Sequence, residues 1–152
     1  MAQSTTETDA GAARPPIPQR ADFNFWAEEK LRNIDTDQFK HINNAVMASF
    51  FEAGRMEMFH AFMAEEREDE IGLVVVRLLM NFHKELHYPG TVAIGSAIMR
   101  VGISSFDASQ GLFNGQDCIA SASATCVFIH QETRRPYAVS DILRQRMLAR
   151  QP

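Results

Sequence analysis

The feature that most constrains the fold is a long apolar segment over residues 44–64. Large apolar residues recur there every three or four positions, which predicts a helix of about 30 Å. The recurring positions are Met47, Phe50, Phe51, Gly54, Met58 and Phe62. Further apolar residues widen this surface, so the helix needs cover on several sides. A curved sheet wrapped around it would supply that cover, and Gly54 predicts a close approach of the sheet or of a partner.

The remainder of the chain predicts strands. The apolar run in residues 71–86 is typical of a strand buried on both faces. Residues 91–101 and 106–113 predict two more strands, and Asn114-Gly115 predicts a hairpin turn with positive φ at both central positions. In residues 118–130, one face carries mostly small residues, which leaves room for the helix: Ala120, Ala122, Ala124, Cys126 and Phe128. Residues 141–149 predict a short terminal helix.

The order of these elements indicates the fold class. One helix followed by four consecutive strands excludes a parallel sheet built from strand–helix–strand units and favours an α+β fold. Residues 23–33 are ambiguous, because their charged part favours helix by propensity. Residues 1–20 are rich in Ser, Thr, Ala and Pro, which predicts a disordered leader before a single domain in residues 21–152.

Composition excludes several function classes. The 152 residues carry a net charge of −4 and the pI is about 5.7, which gives no general affinity for nucleic acid. No apolar run approaches the ~20 residues of a membrane span, and the first twenty residues have no secretory signal pattern. Cys118 and Cys126 are expected to be buried, reduced thiols. A cytoplasmic protein is therefore expected.

Candidate catalytic residues come directly before the long helix. Asp35, Asp37, His41 and Asn44 lie within eleven residues of one another. A helix N-terminus leaves backbone N–H groups unpaired and carries partial positive charge, so it can stabilise an anion on a carbonyl oxygen. A carboxylate just upstream can act as a base or a nucleophile. This arrangement favours acyl chemistry, and thioester hydrolysis in particular.

The same segment resembles the start of the central helix in hotdog-fold thioesterases of the 4-hydroxybenzoyl-CoA thioesterase-like branch. That branch often reads D-T-D-x-x-G-H-x-N-N-x-x-Y-x-x-x-x-E-x-x-R. The matching residues are Asp35, Thr36, Asp37, His41, Asn43, Asn44, Glu52 and Arg55, whereas Lys40 replaces glycine and Met47 replaces tyrosine. The resemblance continues through residues 88–91, 104–106 and 133–136 and covers residues 24–145.

The resemblance implies a hotdog fold, in which a curved antiparallel sheet wraps around one long central helix, with the later part of residues 23–33 as its first strand. It implies hydrolysis of acyl-CoA or acyl-carrier-protein thioesters. Asp37 would be the general base or the nucleophile, and the N–H of Asn44 would bind the carbonyl oxygen. The residues themselves leave His41 three roles: donating to the carbonyl oxygen, protonating the leaving thiolate or ordering the loop. Asp35 is the alternative catalytic carboxylate, although its position nearer the strand favours a structural hydrogen bond.

Other features leave alternatives open. Lys40 either adopts the positive φ of the glycine it replaces or sends the loop along another path. Lys84, Arg100, Arg134 and Arg135 are the candidate cations for the coenzyme A phosphates, and Arg100 with Ser105 is the predicted binding pair, although the basic cluster that some relatives carry at this position is missing. Glu52 and Arg55 can form an ion pair one turn apart. The lysine and the missing cluster motivate an alternative function, a module that binds acyl-CoA or acyl carriers without hydrolysis.

No cofactor is expected, since coenzyme A belongs to the substrate, and no metal site, since the histidines lack zinc-type spacing. The resemblance implies a homodimer or homotetramer whose sheets join edge to edge, with the site between subunits.

Overall fold

A five-stranded antiparallel sheet and one long helix form most of the protein. The computed structural model describes residues 15–63 and 70–152. The elements are β1 (Phe25–Lys30), α1 (Asn44–Met63), β2 (Ile71–Phe82), β3 (Thr91–Val101), β4 (Ser105–Asn114), β5 (Asp117–His130) and α2 (Asp141–Leu148), with short 3-10 turns at Arg20–Asp22 and Asn33–Asp35. The strand order is β1-β3-β4-β5-β2. The curved sheet and the single long helix confirm the predicted hotdog fold.

Helix α1 begins at Asn44 as predicted and packs over β1, β3 and β4. All six recurring apolar positions are buried. Gly54 sits where a side chain has no room, because a Cβ there would collide with Ile94 and lie 3.1 Å from Nε2 of Gln110. The predicted close approach is therefore made by strands β3 and β4 of the same chain.

Strand β5 shows the predicted difference between its faces. The small residues Ala120, Ala122 and Ala124 are at most 5% exposed and belong to the core. The intervening Ser121, Ser123 and Thr125 are half-buried on the other face. Cys118 and Cys126 are free and buried, and burial raises the pKa of each thiol to about 11, because it penalises the thiolate. Both cysteines are therefore the buried thiols that were expected.

The hairpin turn lies one residue later than predicted. Asn114 pairs with Asp117 in the β4–β5 ladder, so Gly115 and Gln116 are the two loop residues. Of these two loop residues, only Gly115 has a positive φ, at +61°. A turn with glycine at its first central position needs positive φ only there, which explains why Asn114 can remain in its strand.

Strand β2 differs more strongly from its prediction. It is an edge strand, paired only with β5 among the described residues. Val75, Val76, Leu78, Leu79 and Phe82 are each at least 38% exposed, so burial on both faces was wrong. The apolar side chains of β2 are left uncovered because helix α1 of the same chain packs over β1, β3 and β4.

The remaining predictions concern the ends of the chain. The ambiguous residues 23–33 contain β1, in which more buried and more exposed side chains alternate, and the terminal helix is α2. Residues 1–14, most of the predicted leader, lie outside the described residues, as does most of the acidic run 65–70. Within the described ranges, neither helix is long and apolar enough to span a bilayer.

Candidate active site

The segment between β1 and α1 is anchored by Asp35. Its carboxylate accepts hydrogen bonds from the Arg32 backbone N–H at 2.8 Å and from Arg32 Nη2 at 2.7 Å. The Asp35 carbonyl accepts from the N–H of Asn43 at 2.9 Å, next to the helix start. The guanidinium hydrogen bonds lower the pKa of Asp35 despite its burial. The predicted structural role of Asp35 is confirmed.

Asp37 closes a tight loop with His41. The Asp37 N–H donates to the His41 carbonyl at 2.8 Å, and Asp37 Oδ1 accepts from the N–H groups of Phe39 at 2.8 Å and His41 at 3.2 Å. Among the described residues, Oδ2 of Asp37 has no hydrogen-bond partner. One oxygen therefore holds the loop, and the other is available to a ligand.

Lys40 adopts the conformation of the glycine it replaces. Its φ is +65°, and its N–H donates to the Asp37 carbonyl at 3.0 Å. A left-handed conformation costs a non-glycine residue roughly 1–2 kcal/mol. Of the two alternatives, the first is therefore observed: Lys40 adopts the positive φ of the glycine it replaces.

Asn43, rather than Asn44, caps α1. Asn43 Oδ1 accepts from the Ala45 N–H at 2.9 Å, and the Asn43 carbonyl accepts from the Val46 N–H at 2.9 Å. The N–H of Asn44 donates to no acceptor in the described part of the chain. It is one of the unpaired donors at the positive end of the helix.

A surface cavity of about 340 Å³ brings the three predicted catalytic residues together. Asp37, His41 and Asn44 all line it, and Ile42, Met47 and residues 82–86 complete its wall. The residues that line the cavity thus include one with an available carboxylate oxygen and one with an unpaired backbone donor. Such a pair can activate a nucleophile and stabilise the oxyanion that forms when it adds to a carbonyl.

A cluster of two histidines and a glutamate adjoins this cavity. Nε2 of His41 lies 3.5 Å from Oε2 of Glu85, and Nε2 of His87 lies 3.4 Å from the same oxygen. The two rings meet edge to face with centroids 4.9 Å apart. The sequence did not predict this cluster, because an isolated antiparallel bridge pairs His41 with His87, which is distant in sequence. The sequence did contain one signal. Glu85 and His87 are two residues apart, and in an extended segment side chains at that spacing lie on the same face.

The predicted coenzyme A residues lie elsewhere. Arg100 and Ser105 stand at the end of β3 and the start of β4, and neither lines the cavity. Arg100 Nε donates to Asp107 Oδ2 at 2.7 Å, which lowers the pKa of that carboxyl. Within one chain, the structure does not bring these two residues to Asp37.

Arg55 takes part in a buried polar network instead of the expected ion pair with Glu52. It donates to Gln110 Oε1 at 2.9 Å, and Gln110 Nε2 donates to the carbonyl of Phe51 and to Ser96 Oγ, each at 2.9 Å. Burial lowers the pKa of Arg55. The network ties the middle of α1 to β3 and β4.

A second cavity, of about 370 Å³, lies between α1 and β2. The helix and the apolar face of the strand both contribute side chains; the lining is Ala48, Ser49, Glu52, Arg55, Met56, Leu73, Val75 and Leu78. We call this cavity the α1–β2 groove.

Comparison with known proteins agrees with this architecture. The family model of the thioesterase-like superfamily matches residues 32–147. No curated protein sequence matches significantly. Among solved structures, the PA5185 protein of Pseudomonas aeruginosa is 23% identical with a TM-score of 0.76, and the alignment covers 90% of this chain and 97% of that one.

Two further structures are similar. A predicted thioesterase from Bacillus stearothermophilus is 25% identical over 84% of this chain and 98% of its own, with a TM-score of 0.74. The protein SAV2348 of Staphylococcus aureus, solved in complex with CoA, is 16% identical over 84% and 85%, with a TM-score of 0.74. The finer assignment to the 4-hydroxybenzoyl-CoA thioesterase-like branch stays a prediction. Because the family model matches more than half of the chain, the protein belongs to the thioesterase-like superfamily.

Proposed function

We propose that the protein hydrolyses acyl-CoA thioesters at the cavity beside the N-terminus of α1. The observation that carries the proposal is the shared cavity of Asp37 and Asn44, in which a carboxylate oxygen and a helix N–H are both unused by the described residues. Membership of the thioesterase-like superfamily and the CoA complex of a structural neighbour support this substrate class.

The chemistry follows from the two groups. A thioester carbonyl oxygen accepts from the Asn44 N–H, and Asp37 takes a proton from a water whose oxygen adds to the carbonyl carbon. The tetrahedral oxyanion then collapses, the C–S bond breaks, and the thiolate takes up a proton to leave as free CoA beside the carboxylic acid. Direct attack by Asp37 would instead give an anhydride, which water cleaves. One oxyanion donor is typically worth about 2.7–4 kcal/mol.

His41 has two parts in this proposal. Its backbone fixes the Asp37 loop through hydrogen bonds in both directions. Its imidazole also lines the cavity, where it can donate to the carbonyl oxygen or protonate the leaving thiolate. Since a thiolate leaves readily, we assign the loop-ordering role first.

The proposal includes a homodimer joined along β2. This edge strand is twelve residues long, and its exposed apolar side chains need cover. Long apolar edge strands pair readily with other strands, and a two-fold axis would let one strand pair with its copy. A second copy would also close the α1–β2 groove. Arg100 and Ser105 belong to the proposal only as residues that a second copy supplies.

The test is a hydrolysis assay with the Asp37→Asn variant. Purified protein is incubated with acyl-CoAs of varied chain length and with aromatic acyl-CoAs, and released thiol is followed with a chromogenic reagent. We expect turnover of at least one class and a loss of kcat/KM of about 100-fold or more in Asp37→Asn, which is the typical contribution of a general base.

Asp141→Asn is the matched control, because this exposed carboxylate lies at the start of α2 rather than at the cavity. Its kcat/KM should equal that of the wild type. Turnover that survives Asp37→Asn would refute the mechanism. Tight acyl-CoA binding without thiol release would instead establish the non-hydrolytic binding module.

A further inference from the structure

We propose that His41, Glu85 and His87 form a binding site for a divalent transition metal ion such as Zn²⁺. One ligand atom from each residue lies within 4.8 Å of the other two. The site adjoins the cavity lined by Asp37 and shares His41 with it. The inference does not depend on thioester hydrolysis, because it concerns binding of the metal.

The spacing of the ligand atoms fits a tetrahedral ion. Bonds of about 2.1 Å from zinc to nitrogen or oxygen place neighbouring ligand atoms about 3.4 Å apart. Glu85 Oε2 lies 3.5 Å from Nε2 of His41 and 3.4 Å from Nε2 of His87. Both edges that meet at the carboxylate are therefore already at the required length, and the remaining pair of ligand atoms lies within 4.8 Å.

The second nitrogen of His87 has the partner that a metal-binding histidine usually has. Nδ1 of His87 lies 3.3 Å from the carbonyl oxygen of Lys40. With the proton on Nδ1, this nitrogen donates to the carbonyl, and Nε2 presents its lone pair towards Glu85. Such backbone partners fix the tautomer and orientation of histidine ligands.

The backbone holds the ligands together independently of any ion. An antiparallel bridge pairs His41 with His87, and the N–H of Ile42 donates to the Leu86 carbonyl at 2.7 Å. The side chains are accessible, at 35%, 68% and 55% exposure for His41, Glu85 and His87. Three protein ligands and an open fourth position suit a solvent-accessible ion with a bound water. Imidazole and carboxylate ligands suit zinc and its neighbours.

The test is a zinc titration of reduced, tag-free protein against a chromogenic chelator. We expect one equivalent to bind, and His87→Ala and Glu85→Gln each to weaken the affinity by at least about 10-fold, the lower range for a perturbed metal site. His87 does not line the hydrolytic cavity, whereas Glu85 does, so zinc affinity rather than turnover is the readout. Cys118 and Cys126 are buried protonated thiols and do not compete.

His60→Ala is the matched control, because His60 is an exposed histidine near the end of α1, outside the cluster. Its affinity should equal that of the wild type. As a second measurement, zinc should shift the imidazole C–H resonances of His41 and His87 but not those of His60. A wild type without a stoichiometric site, or a His60→Ala variant that loses zinc as fully as His87→Ala, would overturn the proposal.

Discussion

At the scale of single residues, two aspartates separated by one threonine have different environments. Asp35 is 2% exposed, and its carboxylate is occupied by Arg32. Asp37 is half-buried at the cavity and keeps one oxygen available. The first aspartate stabilises the loop and the second can meet a substrate, so the two substitutions should have separable effects.

Replacing Asp35 with asparagine should lower stability in a pH-dependent way. The folded protein holds the pKa of Asp35 below its ordinary value, mainly through the Arg32 hydrogen bonds. The stabilisation is therefore present above about pH 4 and is lost as the pH falls through the folded-state pKa. We expect Asp35→Asn to lower the free energy of unfolding by about 1 kcal/mol at pH 7.

Urea unfolding at pH 7 and at successively lower pH measures this difference. The gap between the wild type and Asp35→Asn should narrow below about pH 4, where the wild-type carboxylate also becomes protonated. Glu57→Gln, at an exposed carboxylate in the middle of α1, should leave stability nearly unchanged. A constant gap across this range would contradict the assigned charge of Asp35.

At the scale of elements, Gly54 tests the contact between α1 and the sheet. Alanine favours a helix by about 1 kcal/mol over glycine. At this position, however, a Cβ would collide with Ile94 and press on Gln110. Overpacking typically costs about 1–3 kcal/mol, so we expect Gly54→Ala to lower the free energy of unfolding.

The Ile94→Ala background provides the control, because it removes the side chain that the new methyl group would meet. In urea unfolding, Gly54→Ala should cost less in that background than in the wild type, which a double-mutant cycle resolves. Equal costs in both backgrounds would mean that Ile94 does not limit the approach of the helix.

The sequence predicts an element well when its side-chain periodicity is compatible with only one pattern of burial. Both ends of β3 and the start of α1 agree with the predictions, since helical spacing and turn residues bound these segments. The burial of strand β2 was predicted wrongly, because an apolar run has the same sequence pattern in a central strand and in an edge strand. The hairpin turn was predicted one residue too early, because asparagine can also be the last residue of a strand, as Asn114 is here.

At the scale of the whole molecule, distance along the chain decided which site residues could be predicted. Asp37 and His41 lie in one loop and Asn44 is the first residue of α1, so the three predicted residues are close in sequence, and all three line one cavity. Glu85 and His87 join them through a tertiary bridge that no local pattern contains. Arg100 lies near the C-terminal end of β3. The direction of the strand, which a local pattern does not give, determines how far this end lies from the cavity.

The assembly is the remaining question at this scale, and β2 is where it can be tested. Val76 lies at a β-bulge of this edge strand and is 62% exposed. In a dimer joined across a two-fold axis, each substitution occurs twice at the interface. Val76→Lys would therefore bring two positive charges to the joined edges, and charged side chains on edge strands block pairing.

We expect the wild type to sediment as a dimer or tetramer and Val76→Lys to raise the dimer dissociation constant at least about 10-fold, equivalent to about 1.4 kcal/mol. Ile142→Lys is the matched control, because Ile142 is 70% exposed on α2, which packs against β3 and α1. Sedimentation velocity over a concentration series measures both variants. A monomeric wild type, or equal weakening by the two lysines, would contradict a dimer joined at β2.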